Sequence, residues 1–425
     1  MRPWLAALAA TSFACSPYGN GVFTCTDNAS CAPDGICQPG GQCSFPDTTC
    51  ASGQRYGGNQ GSVSNTCVGE LPIDAPPVDM PPDQPPAIDA SCIIGGLDLC
   101  SLTPLAPLVI NALDTLDTTN DSRCQTLTQS GGPDACLVYT TNVTINATGK
   151  LRATGSRPLI IASQFDITIS GQIDAGSFRN GGGSGAGANG PGCTFTKSPD
   201  NDAGGAGGGA GGTFHGKGGD GGGGDSDSSN NPPDGPSSGG TAPSGTGTPP
   251  DIAQGGCPGQ RGGNGGGSNG GASGGAVWLF ANGTIDVRPG AGVRATGAGA
   301  SGGQIANAGA GGGGSGGYIK LVAATLVVNG TLAANGGGGG EGGNGVSGGD
   351  FGGDGNFSAT AANGGSSAAS GGNGGSGSAG GSTDGAAASS QATSGGGGGG
   401  GAAGFIVLVG TLSGSGVISP DSSGR

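Results

Sequence analysis

Thirteen cysteines and a single histidine are the residues of this 425-residue chain whose chemistry is most directly read from type and spacing. Cys25, Cys31, Cys37, Cys43 and Cys50 recur every six or seven residues and Cys67 follows, in a stretch almost without aliphatic side chains. Thiols at this density fit disulfides of an exported protein, because a reducing cytosol would keep them free. Structural zinc sites use close CxxC pairs or a nearby histidine, and this stretch has neither. Cys92, Cys100, Cys124 and Cys136 lie on either side of the run PLAPLVINALDTLD, and Cys193 and Cys257 sit far apart in glycine-rich sequence. These twelve are an even set whose pairing spacing alone does not fix. The thirteenth, Cys15, closes MRPWLAALAATSFAC, where Arg2 precedes an apolar run from Trp4 to Phe13. That is a signal-peptide pattern, too short to span a bilayer. Cys15 stands where bacterial lipoproteins are cleaved and acylated, although Ser12 and Phe13 depart from the usual residues there. A lipid on Cys15 is therefore the expected membrane contact, and Ser16, by analogy with enteric bacteria, directs it to the outer membrane.

Other chemistry is sparse. His215, in TFHGKGG, is the only histidine, so neither a multi-histidine metal site nor a pair of histidines as acid and base is available. It reads as a solvated loop residue. Ser268 and Ser315 stand in G-x-S-x-G, but a chain with 106 glycines produces that string by chance, and neither follows a strand and opens a helix. Ca²⁺ is the one cofactor left open. Asp225 and Asp227 in DSDSSN alternate as calcium ligands do, yet the turn glycine is replaced by Asn230 and the closing Glu by Pro236. The strings around Asp220 and Asp354 begin like calcium-binding nonapeptides and do not complete one.

The elements that must position these residues are hidden in an unusual composition: 106 Gly and 27 Pro, with only 32 % apolar residues. This resembles disorder more than a globule, and the clustered glycines exclude collagen. The net charge of -14 has the wrong sign for nucleic acid. Proline concentrates in ELPIDAPPVDMPPDQPPAID, an extended, solvated stalk. Aliphatics gather in repeated islands: PLIIASQFDITISGQIDAGS, GAVWLFANGTIDVRPGAGVRATG and GYIKLVAATLVVNGTLAANG, preceded by NVTINATGKLRATG and closed by GFIVLVGTLSGSGVIS. Alternation pairs Val143 with Ile145, Ile167 with Ile169, Ile285 with Val287 and Leu326 with Val328. Leu151, Ile173, Val293, Leu332 and Ile418 match in a last short strand.

A single repeat cannot cover its own apolar face, so the expected fold is all-β: a parallel β-solenoid of about four to five irregular coils with long glycine-rich inserts. A sandwich of hairpins would use loops far shorter than these connections. The expected organisation is a signal peptide (1–14), a lipidated tether (15–24), a disulfide-rich module (25–68) and a stalk (69–91). A disulfide-pinned cap (92–140) and the solenoid (141–425) follow, with inserts 177–274, 298–316 and 336–403. The inserts are either solvated disordered loops or packed extended polyglycine helices. The second form resembles the polyglycine bundles of some phage adhesins and insect antifreeze proteins.

The SGQRYG string after the cysteine repeat, the Pro-Asp stalk, DSRCQTLTQSGGPDACLVY, LRATGSRPLIIAS and GGGGSGGYIKLVA together resemble the cysteine- and glycine-rich surface lipoproteins of myxobacteria. The resemblance covers almost the whole chain and implies export and surface placement, with no activity to carry over. Two functions follow as expectations. The first is a non-catalytic outer-surface lipoprotein for adhesion or for matrix or envelope contact, with polysaccharide or envelope components as partners. The alternative is a carbohydrate-active enzyme, a lyase or hydrolase on a parallel β-helix, resting on fold analogy. Its acids would have to come from Asp166, Asp174 and Asp286, with Asp286 expected to point outward beside Val327.

Overall fold

The computed structural model describes residues 24–31, 33–58, 60, 63–69, 92–225, 237–264, 268–366 and 369–423. The signal peptide, Cys15, residues 70–91 of the stalk and Asp227 lie outside them. Contacts divide the chain into two units, Met1–Ala87 and Ile88–Arg425. Among the described residues there is no α-helix, and none of the structure is a helix long and apolar enough to cross a membrane.

The first unit is a small antiparallel sheet of β1 (Ile36–Cys37), β2 (Cys43–Pro46) and β3 (Gln54–Tyr56). Cys25–Cys37, Cys31–Cys43 and Cys50–Cys67 form its disulfides. The Sγ atoms of Cys25, Cys31 and Cys43 approach one another closely, but each is already bonded to sulfur, so none is available as a thiolate ligand. Cross-links replace the apolar area that so short a segment cannot bury.

The second unit opens with the hairpin β4 (Ile93–Ile94) and β5 (Leu97–Asp98), closed by Cys92–Cys100. Then come β6 (Leu108–Ile110), β7 (Leu113–Asp117), β8 (Gln125–Leu127), β9 (Ala135–Thr140), β10 (Val143–Ile145), β11 (Lys150–Thr154), β12 (Leu159–Ser163), β13 (Ile167–Ile169) and β14 (Gln172–Asp174). After the long insert follow β15 (Ala276–Ala281), β16 (Thr284–Val287), β17 (Gly292–Arg294), β18 (Tyr318–Val328), β19 (Thr331–Ala333), β20 (Phe405–Ser413) and β21 (Val417–Ser419). One parallel sheet has the order β21-β19-β17-β14-β11-β7. The larger runs β6-β10-β13-β16-β18-β15-β12-β9-β8, with β20 also on β18, and only the β8–β9 pair is antiparallel. β18 joins two columns because Tyr318–Val322 pairs with β15 while Thr325–Val328 pairs with β16.

Registers place the repeats in alignment. Val143, Ile167, Ile285, Leu326 and Leu412 are successive partners, as are Leu151, Ile173, Val293, Leu332 and Ile418. These columns from both sheets meet in one buried cluster. The alternating strands β10, β13 and β16 bury every second residue, whereas β9, β12 and β15 are buried throughout, because their outer face is covered as well. Ile94, Leu99, Phe214 and Ala253 supply that cover over Leu137, Ile160, Trp278 and Tyr318. The parallel ladders begin at β6 and β7, inside the 92–140 segment. Below the first repeat, the inward position held by Leu151 in the next strand is Asp114, which Arg123 pairs at 2.6 Å together with Asp121 at 2.7 Å. Cys124–Cys136 ties this charged closure to β9.

The described parts of the glycine inserts are ordered by their own backbone. Donors three residues apart share one neighbour: Gly208 and Gly211 donate to Gly222 and Gly219, while Gly209 and Gly212 donate to Ala310 and Gly313, all at 2.8 Å. Carbonyls of the same segment accept from Gly240, Gln260 and Gly399, so it bonds to five other extended segments. Three residues per turn is the period of a polyproline II type helix, which has no internal hydrogen bonds and directs its polar groups outward. A Cβ on Gly211 would land on the carbonyl oxygen of Gly400, and one on Gly398 on that of Gly311. Glycine is therefore required by the spacing of the segments, and the disordered alternative does not hold for the described inserts. Cys193–Cys257 staples the first of them.

Candidate functional site

At a turn of the first insert, Phe214 and His215 fold down onto Phe405 of β20. Phe214 meets Phe405 edge to face at a 5.0 Å centroid distance, and the His215 ring stacks on Phe405 at 4.5 Å. Phe405 continues to Tyr318 at 5.8 Å and Tyr318 to Trp278 at 5.2 Å, so the turn is anchored in the outer aromatic row of the larger sheet. Backbone bonds fix its path: His215 N–H donates to Ala403, Gly247 N–H donates to His215, and Thr246 donates from both N–H and hydroxyl to the Phe214 carbonyl. The expected solvated loop histidine is thus corrected to a half-buried ring with an unpartnered, buried Nδ1. Burial holds its pKa below the ordinary value, against the opposing pull of the Gly404 carbonyl and the Asp384 carboxylate.

Two concavities adjoin at Ser244, which lines both. One, of about 420 Å³, lies between His215, Lys217, Thr383 and Asp384. The other, of about 250 Å³, lies under Phe214, Thr194 and the Cys193–Cys257 bridge. Asp384 Oδ1 accepts the Lys217 N–H at 2.8 Å, and the Lys217 ammonium pairs with Asp220 at 2.7 Å. That pair is three residues apart because a three-residue turn returns both side chains to one face.

The three acids expected to serve an enzyme do not converge. Asp286 stands in register with Thr168 and Val327 and pairs with Arg288 at 3.1 Å. Asp166 is exposed and accepts the Thr284 N–H at 2.7 Å. Asp174 belongs to the other sheet and is fully buried, with Lys150 at 2.8 Å and Arg152 at 3.2 Å. Arg152 and Arg294, which flank Asp174 in register, both lie over the Phe178 ring at 4.9 and 4.4 Å. Arg152 also donates to the Gly176 and Gly182 carbonyls, and Arg294 to Gly355. Burial lowers the pKa of both guanidinium groups, opposed by Asp174. This is a sealed polar cluster beneath the inserts.

Of the calcium candidates, Asp225 is buried, its N–H donating to Gly205 and its carbonyl accepting from Ser237, so it belongs to the glycine packing. Ser315 is likewise buried and accepts the Cys257 N–H at 2.8 Å, and Ser268 is buried. The groove around His215 escaped the sequence because its walls come from segments separated by up to 169 positions, His215 and Asp384 among them. A usable signal was present in GKGGDGG and GGNGGS, where Lys217 and Asp220, and Asn373 and Ser376, recur every third residue. Comparison with protein-family models, curated proteins and solved structures finds no match.

Proposed function

We propose that this chain is a non-catalytic outer-surface lipoprotein of the kind found in myxobacteria. In this reading a lipid on Cys15 and the Pro- and Asp-rich stalk tether a glycine-rich β-solenoid that makes adhesive, matrix or cell-envelope contacts. The observation that supports it is the hydrogen-bonded glycine block, whose inner rows are backbone and whose outer rows carry small polar side chains such as Asn373, Ser376 and Ser390. Such a block spends its sequence on a rigid surface. The aligned parallel columns support the solenoid as its scaffold.

The reading is tested by expressing the full chain and its Cys15→Ala form in a Gram-negative host fed a labelled fatty acid, then treating intact cells with protease. Label lost with Cys15 and digestion of the chain on intact cells are the expected results. Unchanged labelling, or a chain sheltered until the envelope is opened, would overturn the anchor or the surface placement respectively.

A further inference from the structure

We propose that the groove beside His215 binds a neutral, hydroxyl-rich saccharide unit; this rests on the surface-contact reading and gives it a site. Its dimensions suit a small ligand, since binding clefts begin at a few hundred Å³ and the larger concavity holds about 420 Å³. Its polar groups are uncommitted. Among the described residues, neither the Ser244 nor the Thr383 hydroxyl has a hydrogen-bond partner, and Asp384 uses only Oδ1, leaving Oδ2 to accept from vicinal hydroxyls. Charge selects against an anion: Lys217, the one cation at the groove, is held by Asp220, so the free charge is the Asp384 carboxylate.

The site is also preorganised. Gly216 and Gly245 bring segments together at distances a side chain would not permit, since a Cβ on Gly216 would strike the Thr383 carbonyl and one on Gly245 the His215 carbonyl. His215 is fixed by its stack on Phe405, so the groove wall forms without ligand. Peptides are less suited than sugars because the lining offers hydroxyls and a carboxylate but no deep apolar pocket for an anchoring side chain.

The test uses the full chain, titrated by calorimetry with neutral disaccharides built on glucose, galactose and N-acetylglucosamine, and with glucuronic acid as the anionic counterpart. Saturable binding of at least one neutral disaccharide at a Kd near ~1 mM is expected, with no heat from glucuronic acid. Asp384→Asn, which keeps the acceptor for Lys217, and Ser244→Trp, an exposed position that would fill the groove, should each weaken binding by about tenfold or more. Asp286→Asn, on the sheet away from the groove lining, should bind as the parent does. No saturable binding by any neutral disaccharide, or undiminished binding by Ser244→Trp, overturns the proposal. Sugar binding by a chain that protease cannot reach on intact cells would refute the surface reading and leave this site standing.

Discussion

Asp174 shows how a strand-borne acid can look catalytic in sequence and be structural in the fold. It faces away from the apolar columns, yet the insert carrying Phe178 closes over it, and two guanidinium groups share that shelter. Removing its charge leaves the buried Arg152 guanidinium without its carboxylate, so Asp174→Ala is expected to cost about 3–5 kcal/mol of stability in denaturant unfolding. His215 makes a second residue-scale case. Its folded pKa lies below the ordinary 6.5, so the unfolded chain takes up the proton first as the pH falls. The stability it confers is complete above that ordinary value and declines as pH falls toward the depressed one. Thermal unfolding between about pH 7.5 and about pH 5 should show a falling Tm that flattens in His215→Gln, because no other histidine titrates in this interval.

Elements built from glycine obey a different rule from those built from valine and isoleucine. In the strands, side chains carry the stability and backbone pairing sets the register. Between them, backbone pairing does both, and a Cβ is excluded at the glycines where two segments touch, with only small buried side chains such as Ala206 and Ala210 admitted beside them. Gly211→Ala is accordingly expected to destabilise by about 1–3 kcal/mol or more, because the clash is with the Gly400 carbonyl and not with a yielding side chain. Ala387→Ser, on an exposed outer row, should be neutral. Hydrogen exchange separates this from a solvated loop: the amides of Gly208, Gly209, Gly211 and Gly212 should be protected to an extent comparable with Ile160 or Leu279. Uniformly fast exchange across 205–213 would contradict the packed arrangement. The strand columns were legible in sequence because alternation and repetition survive in a single chain, and the residues expected to align do align. The three-residue period of the inserts was also present, in GGNGGS and GKGGDGG, but glycine runs mask it: a residue without a side chain reports no facing.

Across the whole second unit, long-range ties substitute for a large core. Cys193–Cys257 closes a separation of 64 residues inside the first insert, and loop-closure entropy sets its upper contribution near ~4 kcal/mol. Replacing both cysteines with serine should lower the unfolding midpoint and raise exchange within 194–225 and 237–263 before it does so in β12 or β15. Equal loosening everywhere would mean that insert and strands unfold as one unit. By itself the sequence determined the all-β class, the parallel alignment of the repeats, the cysteines that become bridges and the positions of the inserts, because each rests on a local periodicity or a count. Only the tertiary structure decided that the described inserts are packed, which cysteine joins which, that Asp174 is sealed while Asp384 is open, and that His215 stacks on Phe405. Most of those outcomes depend on contacts between segments far apart in the chain, and in the inserts, where glycine is the contacting residue, no side chain records them in the sequence.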